Sequence, residues 1–310
     1  MTTTVNDQIR VPIAKDEPES APPRKRRRSK ASSAGEHGAP ASFRLYVAII
    51  IAATAFLIPF VWLLLAALAT PAQFSQGAEG LLNLSPTLSN FYEAVTRIDY
   101  GKFALNSLLL ATIMSTLTTA TSATVGFAFA RLRGKGQKTL FTILLATMMI
   151  PHIALLIPTY ILFARMGLVG TYWPWVLWGL AGTPYLIFLF KQFFSAIPLE
   201  LEDAAIIDGC GWWRIYVRIF LPLAKPVILT SFILSFVWAW ADYLAPALLL
   251  SYDNTTLSVA TASGYLDPRG NGLPTIQAAG ALLYIMPVVV IFLFAQKQFM
   301  GSAVSSGVKG

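Results

Sequence analysis

Six long apolar segments dominate the sequence and limit the folds that are open to it. They cover residues about 45–69, 103–130, 139–163, 173–194, 226–250 and 277–299. A stretch of about 20 apolar residues is long enough to cross a bilayer as a helix. Backbone polar groups cannot stay unpaired in lipid, and a helix pairs all of them within one segment. The sequence therefore predicts an all-α, polytopic membrane protein with six transmembrane helices.

The composition supports this prediction. Charged residues make up only 12% of the 310 positions, and hydrophobic residues make up 55%. A soluble domain has about 25% charged residues. The single cysteine, Cys210, excludes an intrachain disulfide and any metal site built from several cysteines.

The basic residues are concentrated on one side of the six predicted spans. Nineteen of the 23 Lys and Arg residues lie on that side, in residues 1–44, 131–138, 191–225 and 297–310. Cytoplasmic loops carry an excess of Lys and Arg. We therefore predict a multi-pass protein of the plasma (inner) membrane with cytoplasmic N- and C-termini. This topology explains the net charge of +8 without a nucleic-acid partner.

The first 43 residues differ from the rest of the chain. Residues 1–43 are rich in Pro, Ser, Ala and charge, and they include "RKRRRSK" at 24–30. They show no apolar periodicity, which is typical of a disordered segment. We predict a disordered basic cytoplasmic tail, followed by a transmembrane domain at 44–310.

A charged insert at residues 197–225, "IPLELEDAAIIDGCGWWRIYVRIFLPLAK", separates the fourth and fifth apolar segments. Its first half predicts a short helix that begins at Pro198, since proline suits the first helical position. Three carboxylates fall in the first turn and favour the positive end of the helix dipole, namely Glu200, Glu202 and Asp203. Gly209 is placed to end this helix in a left-handed conformation.

The second half of the insert predicts an amphipathic segment at 212–220. Its spacing puts Trp213, Val217 and Phe220 on one face, and Leu221-Pro222 is expected to end it. The residues alone leave two interpretations open. The insert either docks into a groove of a partner protein or forms a helix pair that rests on the membrane surface.

The insert resembles the EAA loop of binding-protein-dependent ABC importer permeases. That loop has Glu-Ala-Ala, two residues, Asp-Gly, nine residues, and then Ile-x-Leu-Pro. Here "DAA" at 203–205, "DG" at 208–209 and "IFLP" at 219–222 have the same spacing. Asp203 stands where the family has Glu, which keeps the charge but shortens the side chain.

The resemblance extends from about residue 44 to the end of the chain. "NSLLLAT" (106–112), "FAFARLRGKG" (127–136), "MMIPHIALLIPTYILFARMGLVGT" (148–171) and "KQFFSAIP" (191–198) are similar to carbohydrate permeases of the maltose type, above all the MalG-like member of the heterodimer. The resemblance implies a coupling helix that sits in a cleft of a cytoplasmic ATPase. The residues that it assigns to ATPase coupling are Glu202, Asp203, Ala204, Ala205, Asp208, Gly209, Leu221 and Pro222.

The resemblance also implies the partners. They are a second permease subunit, two ATPase subunits and an extracytoplasmic solute-binding protein. The sequence contains no G-x-x-x-x-G-K-[ST] phosphate-binding loop. We therefore expect no enzyme activity and no bound cofactor in this chain, with ATP and Mg²⁺ held by the partner ATPase. The implied cargo is a sugar or oligosaccharide, and the alternative is a non-sugar solute such as a glycerophosphodiester.

Polar residues inside the spans are candidates for a substrate pathway. A carboxylate within a span costs about 2.5–3.5 kcal/mol, so Asp242 should face protein or water. Ser235 and Trp238 are predicted to share its helix face, with Tyr243 beside them, and His152 in the third span is a further candidate. A carboxylate beside aromatic rings suits a sugar. The alternative is that Asp242 joins two helices and His152 is a packing residue.

Two other functional classes fit the sequence less well. An ion-coupled carrier would need inverted repeats and several acids within the membrane, whereas only Asp242 lies clearly within a span. An intramembrane hydrolase would need a nucleophile with its base, and His152 is the single histidine within the spans. The sequence therefore favours an importer permease.

Overall fold

The apolar segments form the long helices of the protein. The computed structural model describes residues 43–306, so the predicted tail lies outside the described residues except for Phe43. Two bent pairs of helices bring the number of candidate spans from four to six if each pair is one span. The four candidate spans are Leu45–Leu68, Tyr100–Arg131, Trp173–Ser195 and Pro274–Phe294, and the bent pairs are Gln137–Thr147 with His152–Arg165 and Trp212–Leu223 with Lys225–Ala241. The protein is therefore an all-α polytopic membrane protein, as predicted.

Within residues 43–306 the chain forms sixteen α-helices. In chain order they are α1 (Phe43–Leu68), α2 (Pro71–Ser75), α3 (Ala78–Leu82), α4 (Ser89–Thr96), α5 (Tyr100–Arg131), α6 (Gln137–Thr147), α7 (His152–Arg165), α8 (Trp173–Ala181), α9 (Pro184–Ser195), α10 (Glu200–Ile207), α11 (Trp212–Ile215), α12 (Leu221–Leu223), α13 (Lys225–Ala241), α14 (Leu244–Leu249), α15 (Leu257–Ser263) and α16 (Pro274–Ser306). A π-helix at Tyr216–Phe220 joins α11 to α12. The chain forms two compact units, with the boundary between Ala53 and Thr54. The packing described below is that of the unit that begins at Thr54.

Helix α5 packs against α8, α9, α13 and α15. Its buried face is made largely of small and hydroxyl residues, including Ser115, Ser122 and Gly126. A Cβ atom at Gly126 would lie 2.6 Å from the Cβ of Phe190 on α9, so glycine is needed for this approach. Small residues are the usual means by which helices approach closely in lipid. The position of α5 therefore determines where its neighbours lie.

The predicted third and fourth spans are interrupted. The segment predicted at 139–163 forms α6 and α7, which are bent by 98°. Pro151 causes this bend, because it lacks an N–H and disfavours helical backbone at the residue before it. The segment predicted at 173–194 breaks between α8 and α9, where Gly182 has a φ of 69°. Both interruptions bring backbone groups out of helical pairing within apolar segments.

The segment between α1 and α5 is folded. It contains α2, α3 and α4. The side-chain amide of Asn90 donates hydrogen bonds to the carbonyls of Ala67 and Ala69, each at 2.8 Å. These two bonds satisfy carbonyl groups at the end of α1, which have no partner within the helix.

Candidate functional site

The charged insert begins with a short acidic helix. α10 starts at Glu200, and the carbonyl of Leu199 accepts hydrogen bonds from the N–H groups of Glu202 and Asp203 at 2.9 Å each. The predicted start at Pro198 is wrong by two residues. Leu199 is the residue that precedes the first turn, and Pro198 lies before it. The three carboxylates do lie in that turn, as predicted.

Gly209 ends α10 with a φ of 77°. The N–H of Cys210 donates to the carbonyl of Ala205, and the N–H of Gly209 donates to that of Ile206, both at 2.9 Å. This pair of bonds is a Schellman motif, which favours a left-handed glycine. No described atom lies within 4 Å of the position of a Cβ at residue 209, so backbone conformation and not space favours glycine. The predicted left-handed stop is confirmed.

Helix α10 has one buried face and one exposed face. Glu202 and Ala205 are buried, and Ala205 packs into an aromatic cluster that includes Phe194 and Phe220. The opposite face is acidic, small and apolar, and its exposed residues are Asp203, Ala204, Ile206, Ile207 and Asp208. The residues that the resemblance assigns to coupling are therefore divided between an inward and an outward face.

The second half of the insert packs through a different face from the predicted one. Ile215, Tyr216 and Phe220 are buried, whereas Trp213 is 72% exposed and Val217 is 39% exposed. The π-helix explains this difference, because its wider turn changes the angular spacing of the side chains. The prediction that Trp213 and Val217 share one face with Phe220 is therefore wrong, because Phe220 is buried and the other two side chains are exposed.

Leu221 and Pro222 do not end this segment. It continues to Leu223, and the chain then turns by 78° at Ala224 into α13. Pro222 lies in the first turn of α12, where a proline leaves few hydrogen bonds unmade. Leu221 packs against the aromatic cluster and Pro222 is exposed.

An apolar groove of about 600 Å³ lies between α5, the second half of the insert and α13. Helix α5 contributes Thr116, Ala120 and Thr124, and the insert contributes Trp213 and Val217. The exposed side chains of Trp213 and Val217 therefore line this groove.

Arg131, the last residue of α5, lies beneath the insert. Its Nη2 donates to the carbonyls of Phe194, at 2.6 Å, and of Ile197. Its Nη1 lies 3.4 Å from Oε2 of Glu202, which is an ion pair and not a directed hydrogen bond. Its guanidinium stands 4.9 Å from the centre of the Phe220 ring. In the sequence, Arg131 is only a basic residue after an apolar segment, which indicates topology and no contact.

The predicted fifth span, 226–250, breaks at Asp242. Helix α13 ends at Ala241, and Asp242 has extended backbone with a ψ of 121°. Its Oδ1 accepts a hydrogen bond from the N–H of Ala245 at 3.2 Å, and its carbonyl accepts one from the Ser258 hydroxyl at 2.7 Å. The half-buried carboxylate therefore caps α14. The carboxylate therefore bonds within the break itself, and the contact with α15 is made by the backbone carbonyl of Asp242.

Ser235, Trp238 and Asp242 do not share one helix face, contrary to the prediction. Helix α13 ends before Asp242, so the helical spacing does not reach it. Ser235 is 2% exposed and Trp238 is 49% exposed, so these two side chains point to different environments. Ser235 therefore packs within the bundle.

The remaining candidates are exposed and lie near breaks in the helices. His152 is the first residue of α7 and is exposed. Tyr243 follows Asp242 and is exposed. Trp238 contacts Tyr185, the second residue of α9, with the ring centres 6.0 Å apart and the planes at 61°. The structure therefore pairs Trp238 with an aromatic residue outside the predicted set.

A reciprocal contact fixes the end of α13. The indole N–H of Trp240 donates to the carbonyl of Tyr284 at 3.2 Å, and the Tyr284 hydroxyl donates to the carbonyl of Trp240 at 2.6 Å. The two rings also stack, with centres 5.6 Å apart. Helix α16 therefore supports the backbone just before the break at Asp242.

A family model described as "Binding-protein-dependent transport system inner membrane component" matches residues 122–299. The match includes the whole insert, α13 and the break at Asp242. The chain belongs to this family. This permease is therefore a multi-pass inner-membrane component of an ABC transporter and not its ATPase, which is a separate ATP-binding subunit in the family. Family membership also implies a complex with an ATPase and a binding protein.

Individual relatives agree with the family match. The permease is 33% identical over 263 residues to the melibiose/raffinose/stachyose import permease protein MelC of Bacillus subtilis (strain 168), covering 84% of this chain and 94% of MelC. It is 34% identical over 211 residues to the maltose/maltodextrin transport system permease protein MalG of Vibrio vulnificus (strain CMCP6), covering 66% and 71%. The resemblance to carbohydrate importer permeases is thereby confirmed.

The fold also matches a solved structure. The permease superimposes with a TM-score of 0.72 on a chain from the crystal structure of a bacterial ABC transporter involved in the import of the acidic polysaccharide alginate. The two chains are 19% identical, and the match covers 84% of this chain and 99% of the other. At this identity the comparison supports the fold of an ABC importer permease.

Proposed function

We propose that this permease imports a sugar or an oligosaccharide across the inner membrane, driven by ATP hydrolysis on two separate ATPase subunits. A second permease subunit and an extracytoplasmic binding protein complete the importer. The substrates named for MelC and MalG support this class of cargo. The distribution of Lys and Arg supports cytoplasmic N- and C-termini, and with them a cytoplasmic insert.

The two faces of α10 are the observation that carries this proposal. Glu202 and Ala205 hold one face against the bundle, whereas Asp203, Ala204 and Asp208 are exposed on the other. The exposed face of α10 enters a cleft of the ATPase. Closure of the ATPase dimer then moves α10 together with the bundle to which its buried face is attached.

Three other residues of the insert shape it. Gly209 sets the length of α10 through its left-handed backbone. Leu221 and Pro222 lie in the link that turns into α13. Their part in coupling is to connect α10 with a span that borders the substrate pathway.

The substrate pathway runs beside the breaks in the helices. The half-exposed rings of Trp238 and Tyr185 offer apolar surfaces on which the C–H faces of a sugar pack. Asp242 and His152 lie at breaks in the helices and supply groups that hydrogen-bond to hydroxyls. Tyr243 extends the same surface with an exposed ring.

Reconstitution tests the proposed function. The permease is placed in proteoliposomes alone, and then with the ATPase, the second permease subunit and the binding protein, and uptake of labelled raffinose and maltotriose is measured with ATP. We expect uptake by the complete complex and none by the permease alone. Uptake by the permease alone would contradict the proposal, and exclusive uptake of a glycerophosphodiester would contradict the sugar cargo.

A further inference from the structure

Arg131 connects three parts of the chain through one buried guanidinium. Its side chain is 3% exposed and that of Glu202 is 11% exposed. The carbonyls of Phe194 and Ile197 accept hydrogen bonds from the same Nη2 atom, so the guanidinium also satisfies backbone groups at the end of α9. The carbonyl of Phe194 also accepts a hydrogen bond from the N–H of Ile197 at 3.3 Å, and Ile197 lies two residues beyond the end of α9.

The contacts of Arg131 compensate for the hydration that its buried guanidinium lacks. A buried charge needs both a counter-charge and hydrogen bonds, because burial removes its hydration. Glu202 supplies the counter-charge, the two carbonyls accept hydrogen bonds, and the Phe220 ring faces the cation. α10 therefore cannot move away from the end of α5 without leaving a buried charge unpaired.

We propose that Arg131 is the positioning residue that fixes α10 to α5 and so makes movement of α10 move the bundle. This inference rests on the proposed coupling function of α10. Because α5 packs against α8, α9 and α13, a displacement of α10 that is carried through Arg131 reaches the helices that border the substrate pathway. In this account, Arg131 touches neither the ATPase nor the substrate.

The geometry requires arginine at this position. The planar guanidinium presents donors in several directions, whereas the ammonium group of lysine is a compact charge on a flexible stem. Lysine at residue 131 retains the charge but cannot reach Glu202 and both carbonyls with the same geometry. Arg131→Lys should therefore be intermediate between the natural protein and Arg131→Met.

The test uses the complete importer with Arg131→Met, Arg131→Lys, Glu202→Gln and the double variant Arg131→Met/Glu202→Gln. Arg133→Met is the matched control, because Arg133 is an exposed base two residues away. ATP hydrolysis and sugar uptake are measured on the same proteoliposomes. A nitroxide attached at Ala204→Cys, with Cys210→Ser, reports the mobility of α10 in the full-length permease alone and in the complex.

We expect Arg131→Met to lower the sugar transported per ATP about tenfold, a typical size for coupling between separate sites. The nitroxide should become more mobile, and Arg133→Met should change neither quantity. Glu202→Gln should also lower the sugar transported per ATP and raise the mobility of the nitroxide, but by less than Arg131→Met. The double variant should transport as much sugar per ATP as Arg131→Met, because both changes remove the same contact.

Two results would overturn the inference. One is an unchanged amount of sugar per ATP in both Arg131→Met and Glu202→Gln. The other is an equal fall in hydrolysis and uptake with an unchanged nitroxide spectrum, which would mean that α10 stays attached without Arg131 and that the ratio of sugar to ATP does not depend on it. If Arg131→Met does not accumulate, Glu202→Gln and Arg131→Lys decide the question. If the natural complex shows no ATP-driven uptake, the proposed function fails, whereas nitroxide mobility in the permease alone still tests the attachment.

Discussion

Gly209 and Asp242 each lie at the end of a helix, and each has a local structural task besides its proposed role in transport. Gly209 ends α10 with a left-handed backbone, and Asp242 caps α14 through its Oδ1 atom. A substitution that removes both tasks together cannot distinguish them. The informative substitutions therefore keep the role of each residue at its helix end and remove only its proposed role in transport, or the reverse.

Gly209→Val should weaken docking of the ATPase while membrane insertion persists. A left-handed backbone costs a residue with a Cβ about 1–2 kcal/mol, which is a five- to thirtyfold fall in the population of the docking conformation. Gly209→Asn is the control, since asparagine tolerates this backbone and the site has space for a side chain. Co-purification of the ATPase measures the effect. Equal co-purification with the Val, Asn and natural proteins would contradict the assigned task of Gly209.

Asp242→Asn should separate the pathway role of Asp242 from its capping role. Asparagine can still accept the hydrogen bond from the N–H of Ala245, but it has no charge. If Asp242 contacts sugar hydroxyls as a carboxylate, both Asp242→Asn and Asp242→Ala should lower uptake in an intact complex. Normal kinetics for Asp242→Asn with impaired Asp242→Ala would assign Asp242 to capping alone.

Trp238→Ala should raise the KM for the sugar. An aromatic contact contributes about 0.5–1.5 kcal/mol, which predicts a two- to tenfold increase. Trp173→Ala is the matched control, because Trp173 is also exposed but lies at the start of α8. Concentration-dependent uptake measures both variants. A similar change for the two tryptophans would indicate a general effect on the bundle and not a sugar contact.

At the scale of helices, the sequence predicts length well and interruptions poorly. Apolar length and the pairing of backbone groups in lipid are enough to predict the long helices, and Pro151 indicates the bend between α6 and α7. The π-helix at Tyr216–Phe220 changes which side chains are buried, and no local pattern reports it. Arg131 donates a hydrogen bond to the carbonyl of Phe194, which lies 63 residues away in the sequence. Only the packing of the helices creates this contact.

Tyr284→Phe should loosen the end of α13 without abolishing the fold. It removes the hydrogen bond to the carbonyl of Trp240 and keeps the stacked ring. The expected loss is about 1 kcal/mol of unfolding free energy, since buried hydrogen bonds contribute this amount or somewhat less within membranes. Tyr92→Phe is the control, because Tyr92 is exposed. Thermal unfolding in detergent compares the two, and equal stability would contradict the role of this contact.

At the scale of the whole molecule, the family could be recognised from the spacing of the insert, and the cargo could not. The spacing from 203 to 222 reflects contact with an ATPase, which is a task common to these permeases. Cargo selection depends on a few side chains near the helix breaks, and helical spacing alone placed Ser235 among them wrongly. Orientation in the membrane is supported by the distribution of basic residues and follows from no contact within the chain.

Site-specific cross-linking at Ala204 tests most directly whether α10 docks on the ATPase. A photoactivatable probe is attached to Ala204→Cys in a Cys210→Ser background. Thr96→Cys is the control, because α4 follows the first predicted span and the predicted topology therefore puts it on the outer side of the membrane. Both positions are exposed. We predict cross-links from residue 204 to the ATPase subunit that change with ATP, and none to the ATPase from residue 96. No ATPase adduct at residue 204 in an actively transporting complex, or equal adducts at both positions, would contradict the account.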